Sequence, residues 1–417
     1  MVDYPGAEQP PFRLSMLIYD QRYRAITIQV VVFILVMLAI AGLVRNAVIA
    51  FEIAGKTFSF DFLWRRAGYD IPQQLIPFTS DDTHLRATVV GLLNTLLVSF
   101  FGCIFATIIG VAVGVLRLSS NWLVSRLMTI YVEIFLNVPL LMWILVFLAI
   151  FTDVLPPPNA YRGENPAASM ILFETIAPTN RYTAIPSLSL SNDPGVLPLG
   201  REGINIAVIV FALVFLAALG IRRQLARWAS REQNRTGKRP VTWWVQILLF
   251  VVPFVWLAWH YGLHLNRPEL KGFNFVGGIN LDNSFVVLLV ALSLYTAAFI
   301  AEAVRAGVMA VSAGQTEAAY SLGLRPGRTM TLVVLPQALR VIIPPLISQY
   351  LNLTKNSSLA IAVGYMDLRG TLGGTTLNQT GREMECMILM MLIYLVVSLI
   401  ISGAMNLYNR RVALKER

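Results

Sequence analysis

The sequence predicts an all-α polytopic membrane protein with about eight transmembrane helices, and three observations carry that prediction. Of its 417 residues 56% are hydrophobic and only 13% charged, and the mean hydropathy is +0.65; soluble domains are more polar and nearly twice as charged. Eight apolar stretches, 25–49, 87–116, 127–151, 204–221, 243–261, 285–307, 335–353 and 387–408, lie near the roughly 20 residues that a helix needs to cross a hydrocarbon core about 30 Å thick. The basic residues gather in the connections between alternate stretches rather than in one block. The net charge of +10 therefore fits loops facing anionic lipid, and nucleic acid is not an expected partner.

In chain order, 1–24 is a polar arm and 25–86 a first span with its following loop. Two spans fill 87–151, and 152–203 is a long connection. A helix hairpin with a basic loop occupies 204–262, a second connection 263–284, and the last three spans 285–417. No short apolar core with a small-residue cleavage site follows the N-terminus, so the first span is expected to be retained as an anchor. The connection 152–203 holds Pro156, Pro157, Pro158, Pro166, Pro178, Pro186, Pro194 and Pro198; it cannot span and is expected to be an irregular cap on the outer side. With both termini inside, the cytoplasmic segments take Arg13, Arg22 and Arg24, Arg117 and Arg126, the cluster Arg222, Arg223, Arg227, Arg231, Arg235, Lys238 and Arg239, then Arg305, Arg325, Arg328 and Arg340, and finally Arg410, Arg411, Lys415 and Arg417. That is twenty of the 33 basic residues, which orients the chain N-in and C-in. Arg45, Lys56, Arg65, Arg66 and Arg86 in the first outer loop oppose the rule, but Glu52, Asp61, Asp70, Asp81 and Asp82 accompany them.

The connector between spans six and seven does not read as a passive loop. Ser312 stands three residues before Gln315, a capping-box spacing that starts a helix near Ala313. No Pro or Gly interrupts 315–322, and Gly323 supplies the left-handed residue that ends it. Glu317 beside Ala318 and Ala319 offers an acidic, low-profile face to another protein. The sequence Gly323-Leu-Arg-Pro-Gly327-Arg-Thr is glycine-rich and basic, but lacks the spacing and terminal Lys-Ser/Thr of a phosphate-binding loop, so this chain is not expected to bind ATP.

The segment EAAYSLGLRPGRTMTLVVLPQA, with Gly323 four residues after Ala319 and Pro336 thirteen after Gly323, resembles the EAA loop, here 311–336, of permease subunits in ATP-binding-cassette importers. The similarity extends over 91–119, 131–147, 295–319 and 336–360 to the polar-amino-acid subfamily. The eight-span form with its inserted hairpin resembles the Q-type subunit of general L-amino-acid transporters and of glutamate/glutamine/aspartate/asparagine systems. The resemblance implies a five-helix type I importer core plus three additional helices. It implies a non-catalytic subunit in a bacterial inner membrane, without a cofactor of its own. Its implied partners are a second permease in a heterodimer, two ATPase subunits carrying ATP and Mg, a periplasmic amino-acid-binding protein, and an L-amino acid as cargo. Glu317, Ala318, Ala319 and Gly323 would form the coupling helix against the ATPase. Asn356 departs from the pattern, since the family often carries an acid after the lysine found here as Lys355; the charge preference for substrate is left open.

Polar residues inside spans are the other candidates, because each is costly at the bilayer centre unless it faces protein or water. Pro344 and Pro345 are expected to break span seven midway, ahead of the polar run Asn352, Thr354, Lys355, Asn356, Ser357 and Ser358. Such a broken helix can aim polar groups at a solute. Tyr295 and Thr296 in span six, and Asn94 and Thr95 in span two, are further candidates for the pathway. Glu133 and Glu302 lie nearer the cytoplasmic side, where a salt bridge or helix packing competes with solute contact. Asn137 and then Pro139 mark a kink that serves gating or packing. Spans one, four and five, mostly Val, Ile, Leu, Phe and Trp, are expected at the periphery. An ion-coupled secondary transporter is the alternative, but it needs inverted repeats and midplane carboxylates. An intramembrane enzyme needs a convergent His, Cys or paired-carboxylate set. His260 and His264 are read as interfacial, and Cys103 and Cys386 form neither a metal site nor a disulfide framework.

Overall fold

In the computed structural model residues 15–412 are described, except 54, 56, 164–165, 198–202 and 239. The N-terminal arm as far as residue 14, with Arg13, and also Lys56, Pro198, Arg239, Lys415 and Arg417 lie outside the described residues. The chain divides into two compact units, Met1–Asp61 and Phe62–Arg417. The first holds a helical turn, Met16–Tyr19, and α1, Gln21–Ile53, whose apolar length is sufficient to cross a membrane.

The second unit is built on eight membrane helices and one short connector helix. They are α2 (His84–Arg117), α3 (Trp122–Asn137), α4 (Leu140–Ala149), α5 (Ile206–Thr236), α6 (Trp243–His260), α7 (Asn283–Met309), the short α8 (Ala313–Ser321), α9 (Leu335–Asn356) and α10 (Glu383–Val412), α4 being the shortest of the membrane pieces. Local chemistry sets several boundaries. Thr83 Oγ1 accepts from Arg86 N at the start of α2, and Asn121 Oδ1 from Leu123 N and Val124 N at the start of α3, each satisfying helix donors that have no partner of their own. Pro139 ends α3 by forcing its predecessor out of helical space: Val138 sits at φ −108°, ψ 131°. The kink expected there is a full break, with α3 meeting α4 and its continuation to Val154 at 106°.

Among the described residues seven helices are long and apolar enough to cross a membrane, or eight if the bent α3–α4 pair counts as one span. Packing between α2 and α7 decides in favour of eight. Gly110 of α2 lies against Ala297 and Ile300, and Gly114 against Ala301 and Val304, so the two helices run parallel. Helices α5 and α6 account for two crossings between them; a third is required for α2 and α7 to share a direction, and only α3–α4 can supply it.

Helix α7 is the centre of the unit, with Val287, Leu288, Ala291, Leu292, Ala297, Ala298, Ile300 and Ala301 all fully buried beneath α2, α3, α4 and α9. Spacing of four between Gly110 and Gly114 lets α2 approach α7 backbone to backbone, the small-residue packing that lipid-embedded helices rely on. Helices α5 and α6 pack on each other through Phe211, Phe215, Phe250 and Phe254; their spanning stretches are mostly exposed, as peripheral helices should be.

Two expectations fail here. The connection 152–203 is not irregular: it contributes β1 (Ala177–Pro178), β2 (Tyr182–Ile185), β3 (Ser187–Leu190) and β4 (Val196–Leu197) to a small cap completed by β5 (Ile204–Asn205), β6 (Leu263–Asn266), β7 (Glu269–Lys271), β8 (Asn274–Val276) and β9 (Ile279–Asp282). Strand β2 pairs antiparallel with β9 from Tyr182↔Asp282 to Ile185↔Ile279, and β3 pairs with β6. Prolines keep this region from forming a long helix, leaving only short turns such as Pro158–Tyr161, without excluding four-residue strands between them. The basic segment after residue 221 is not a loop either, because α5 continues as helix to Thr236 and stops at Gly237, which takes φ +73°.

A leucine at position 110 tests the seam. Its Cβ alone would lie 2.7 Å from Ile300 Cβ, so Gly110→Leu is expected to cost at least the 1–3 kcal/mol typical of overpacking, about 3 kcal/mol being the upper end, and to lower the midpoint of heat-induced aggregation in detergent. Gly220→Leu on α5, where nothing lies within 4 Å of the added Cβ, is expected to leave that midpoint unchanged.

Candidate functional site

Helix α7 ends at Met309, and after a tight turn α8 begins. Ser312 occupies the N-cap position, at φ −63°, ψ 142°, but its side chain makes no capping bond. The expected capping box does not form, because the Gln315 side chain turns to α9 and accepts from Gln337 Nε2 at 3.4 Å. The other end follows expectation: Gly323 takes φ +76°, its N–H donates to Tyr320 O at 2.9 Å and Leu324 N to Ala319 O at 3.1 Å. These are the two bonds of a Schellman termination. Glu317 and Ala318 face solvent, whereas Ala319 is buried on the inner side. Tyr320 and Leu322, the latter 82% exposed, extend the outward face with apolar surface that the alanine-centred reading missed. From Arg325 the chain re-enters helix at Pro326–Thr329 and passes through a π turn, Met330–Val334, straight into α9.

About two turns before the end of α7, Glu302 joins two helices. Arg305 Nη2 donates to its Oε1 at 2.6 Å, while Arg117, the last residue of α2, donates to Oε2. The Arg117 side chain is only 6% exposed. Glu302 is thus a helix-pairing residue beside the connector. Glu133 is arranged differently: it is exposed on α3 and receives the Asn137 amide on its backbone carbonyl at 2.7 Å and on Oε2 at 3.3 Å, immediately before the break at Pro139.

Helix α9 is not broken at Pro344–Pro345. It runs from Leu335 through Asn356, although the two prolines remove the N–H groups that would reach the Arg340 and Val341 carbonyls. Its buried face, Ala338, Ile342, Ile343 and Ile347, packs on α7 and holds it in register. Of the expected pathway residues, Asn352 is exposed and Asn356 half-buried, whereas Thr354 and Ser357 are buried and donate within the chain, to Tyr350 O and Thr354 O. Thr296 is buried in the core, and Tyr295 packs on Phe299 with ring centroids 5.1 Å apart. Exposure along α9 instead picks out Ser348, Asn352 and Lys355, three and four residues apart and therefore on one face.

Asn94 and Thr95 face the interior of the chain. Both are buried and clamp a segment that sequence reasoning passed over, 364–382. The Asn94 amide donates to Met366 O and Gln73 O, Tyr365 OH donates to Asn94 O, and Leu368 N donates to Thr95 Oγ1. Within the segment Asp367 is fully buried. Its Oδ1 accepts from Gly370 N at 2.8 Å and its Oδ2 from Tyr394 OH at 3.3 Å. Further along, Thr376 Oγ1 bonds both His84 Nδ1 and Tyr69 OH at 3.0 Å. The available signal was compositional: a connection holding Leu368, Leu372, Gly373 and Gly374 is too apolar for a solvated turn.

Residues 102–414 match the family model described as "Binding-protein-dependent transport system inner membrane component". The chain belongs to this family. It is a permease subunit, and relatives match it almost end to end. It is 58% identical over 427 residues, covering 99% of both chains, to the "Glutamate/glutamine/aspartate/asparagine transport system permease protein BztB" of Rhodobacter capsulatus. It is 42% identical to the "Putative amino-acid ABC transporter permease protein YhdX" of Escherichia coli, covering 97% of this chain and 98% of that one. To the "General L-amino acid transport system permease protein AapQ" of Rhizobium johnstonii it is 41% identical, covering 97% and 96%. The matched region begins within α2 and takes in every helix from α3 to α10, so the permease shares with its family both the α8 connector and the helices on either side of it.

Burial pushes the Asp367 carboxyl up to about 7, against the opposing effect of its bonds from Gly370 N and Tyr394 OH and of the nearby Arg369 charge. The folded permease therefore holds this proton more tightly than the unfolded chain. Its stabilising contribution is complete below the ordinary aspartate value, falls as pH rises and is lost above about 7. Thermal midpoints in detergent between pH 5 and 8 are expected to fall with pH more steeply in the wild type than in Asp367→Asn; parallel curves would refute the assignment.

Proposed function

We propose that the permease forms one half of the transmembrane pathway of an ATP-driven importer for L-amino acids, with a second, similar permease as the other half of a heterodimer. The observation that carries the pathway is the exposed Ser348, Asn352 and Lys355 face of α9. A polar row on a membrane-spanning helix is costly against lipid, so it belongs opposite a partner across a hydrated route. Glu133 and Asn137 at the α3–α4 break supply a second set, at a discontinuous helix of the kind found beside solutes. Thr354, Asn356, Ser357, Tyr295 and Thr296 then shape the route from behind. The names of the relatives favour polar amino acids as cargo, delivered by a periplasmic binding protein.

Coupling runs through the connector. Glu317, Ala318 and the exposed Tyr320 and Leu322 dock α8 on one of two cytoplasmic ATPase subunits, while Ala319 and the turn at Gly323 hold the helix rigid on the permease side. ATP and Mg on those subunits supply the closing force. When the ATPase pair closes, α8 moves; α9, continuous with its connector, and α7, tied to α2 through Glu302, carry the displacement to the pathway. This places both termini and α8 in the cytoplasm of an inner-membrane protein, as the arginine distribution favours.

Gly323→Trp removes the left-handed residue at the end of α8, and Glu317→Arg reverses its exposed charge. Both variants are expected to remain in the membrane but to lose the co-expressed ATPase subunit on purification, with uptake reduced at least tenfold; retention of ATPase and transport would overturn the coupling role. Asn352→Ala is expected to lower uptake several-fold with the ATPase still bound, measured with radiolabelled amino acid in proteoliposomes. Normal uptake in that variant would move the pathway away from α9.

A further inference from the structure

Helix α5 does not stop where its apolar run stops. Residues 206–221 make sixteen residues of apolar helix, about 24 Å, short of a hydrocarbon core about 30 Å thick. A span this short has no surplus length to absorb by tilting, so α5 stands close to the membrane normal. Arg222 and Arg223 meet the boundary by extending their side chains. The helix then continues unbroken to Thr236, roughly another 20 Å, through a headgroup layer only about 5–8 Å deep. Arg231 therefore stands at the outer edge of the headgroups and Arg235 clear of them.

These two arginines belong to a regular series. Arg223, Arg227, Arg231 and Arg235 recur at every fourth residue and form one slowly turning stripe. All four are exposed, none makes an ion pair with a described residue, and Glu232 is the only acid in 222–236. Depth supplies the remaining observation. Helices α5 and α7 both start from cap strands, β5 and β9. Their 31 and 27 residues carry them about 46 and 40 Å from that cap. The far end of the stripe thus reaches the level at which α7 gives way to α8.

We infer that Arg231 and Arg235 form a second docking contact for the ATPase subunit, receiving an acidic patch of its surface at the depth of the coupling helix. This rests on the orientation and the α8 docking proposed above. Headgroups engage Arg222 and Arg223, and a stripe that served lipid alone would gain little from its last two members. Rim charges of this kind act over about one Debye length, so they speed encounter and make it salt-dependent more than they hold the finished complex.

The test uses the permease pair in nanodiscs and its purified ATPase subunit. For Arg231→Glu/Arg235→Glu the association rate is expected to fall about three- to tenfold at low salt, with the difference disappearing near 0.5 M salt; Arg231→Gln/Arg235→Gln is expected to show a smaller loss of the same kind. The effect is expected in discs of phosphatidylcholine alone. Rates equal to wild type at every salt concentration would overturn the inference, and a loss confined to discs containing phosphatidylglycerol would assign the arginines to lipid and overturn it equally. Gly323→Trp in the same assay separates the two levels. If it retains the ATPase, the α8 docking itself fails; if it loses the ATPase while the arginine variants behave as wild type, only the second contact fails.

Discussion

The close approach of α2 to α7 is the constraint on which the rest of the permease depends. Gly110 and Gly114 set the α2 backbone against Ala297, Ile300, Ala301 and Val304, and the same seam ends in the ion pair of Arg117 with Glu302. Lipid provides no hydrophobic drive to bring helices together, so dispersion contact at short distance has to do it. A parallel pair of long helices with no short loop between them is an unusual nucleus. Its consequence is that the chain between residues 117 and 283 leaves the pair on one side of the membrane and must rejoin it from the other, an odd number of crossings, which obliges α3–α4 to cross although it is broken.

With α7 held on α2, the connector acquires a fixed base. Glu302 lies seven residues before Met309, Gln315 is joined to Gln337, and the π turn at Met330–Val334 feeds α9 without a hinge. Rigidity would serve the coupling proposed for α8, because an element transmits displacement only if it does not deform under load. On the opposite side, Asn94, Thr95, Tyr394 and Asp367 fasten the segment 364–376 by buried hydrogen bonds, where an unpaired polar group is costly and a paired one specifies a single arrangement. The permease is therefore fastened at both ends of α2, and its exposed polar face on α9 lies on the helix that links the connector to the segment 364–376.

Much of the site was legible in the sequence where the signal is local. Gly323 stops α8 because only a glycine takes φ +76° without strain, and the distance from Glu317 to Pro336 needs no tertiary information. The failures share a different cause. Strands β2 and β9 meet across about a hundred residues, beyond any periodic pattern. Pro344 and Pro345 break isolated helices, yet α9 persists because its buried face has a partner in α7. Asn94 and Thr95 illustrate the same limit: a polar group in a span must be satisfied, but the satisfying groups are Met366 O and Leu368 N, on a connection whose apolar composition signals burial without naming its partner.

By itself, then, the sequence determined the membrane class, the approximate number of spans, the basic-residue pattern and the motif of the α8 connector. Each of these is encoded in apolar length, arginine placement or residue spacing along the chain. Only the tertiary structure decided which polar side chains look outward. Thr354 and Asn352 are two residues apart in one polar run, yet the first is buried and the second exposed. Helical phase separates them by about 200°, and which side of the helix faces its own chain is set by α7, whose position no local pattern specifies.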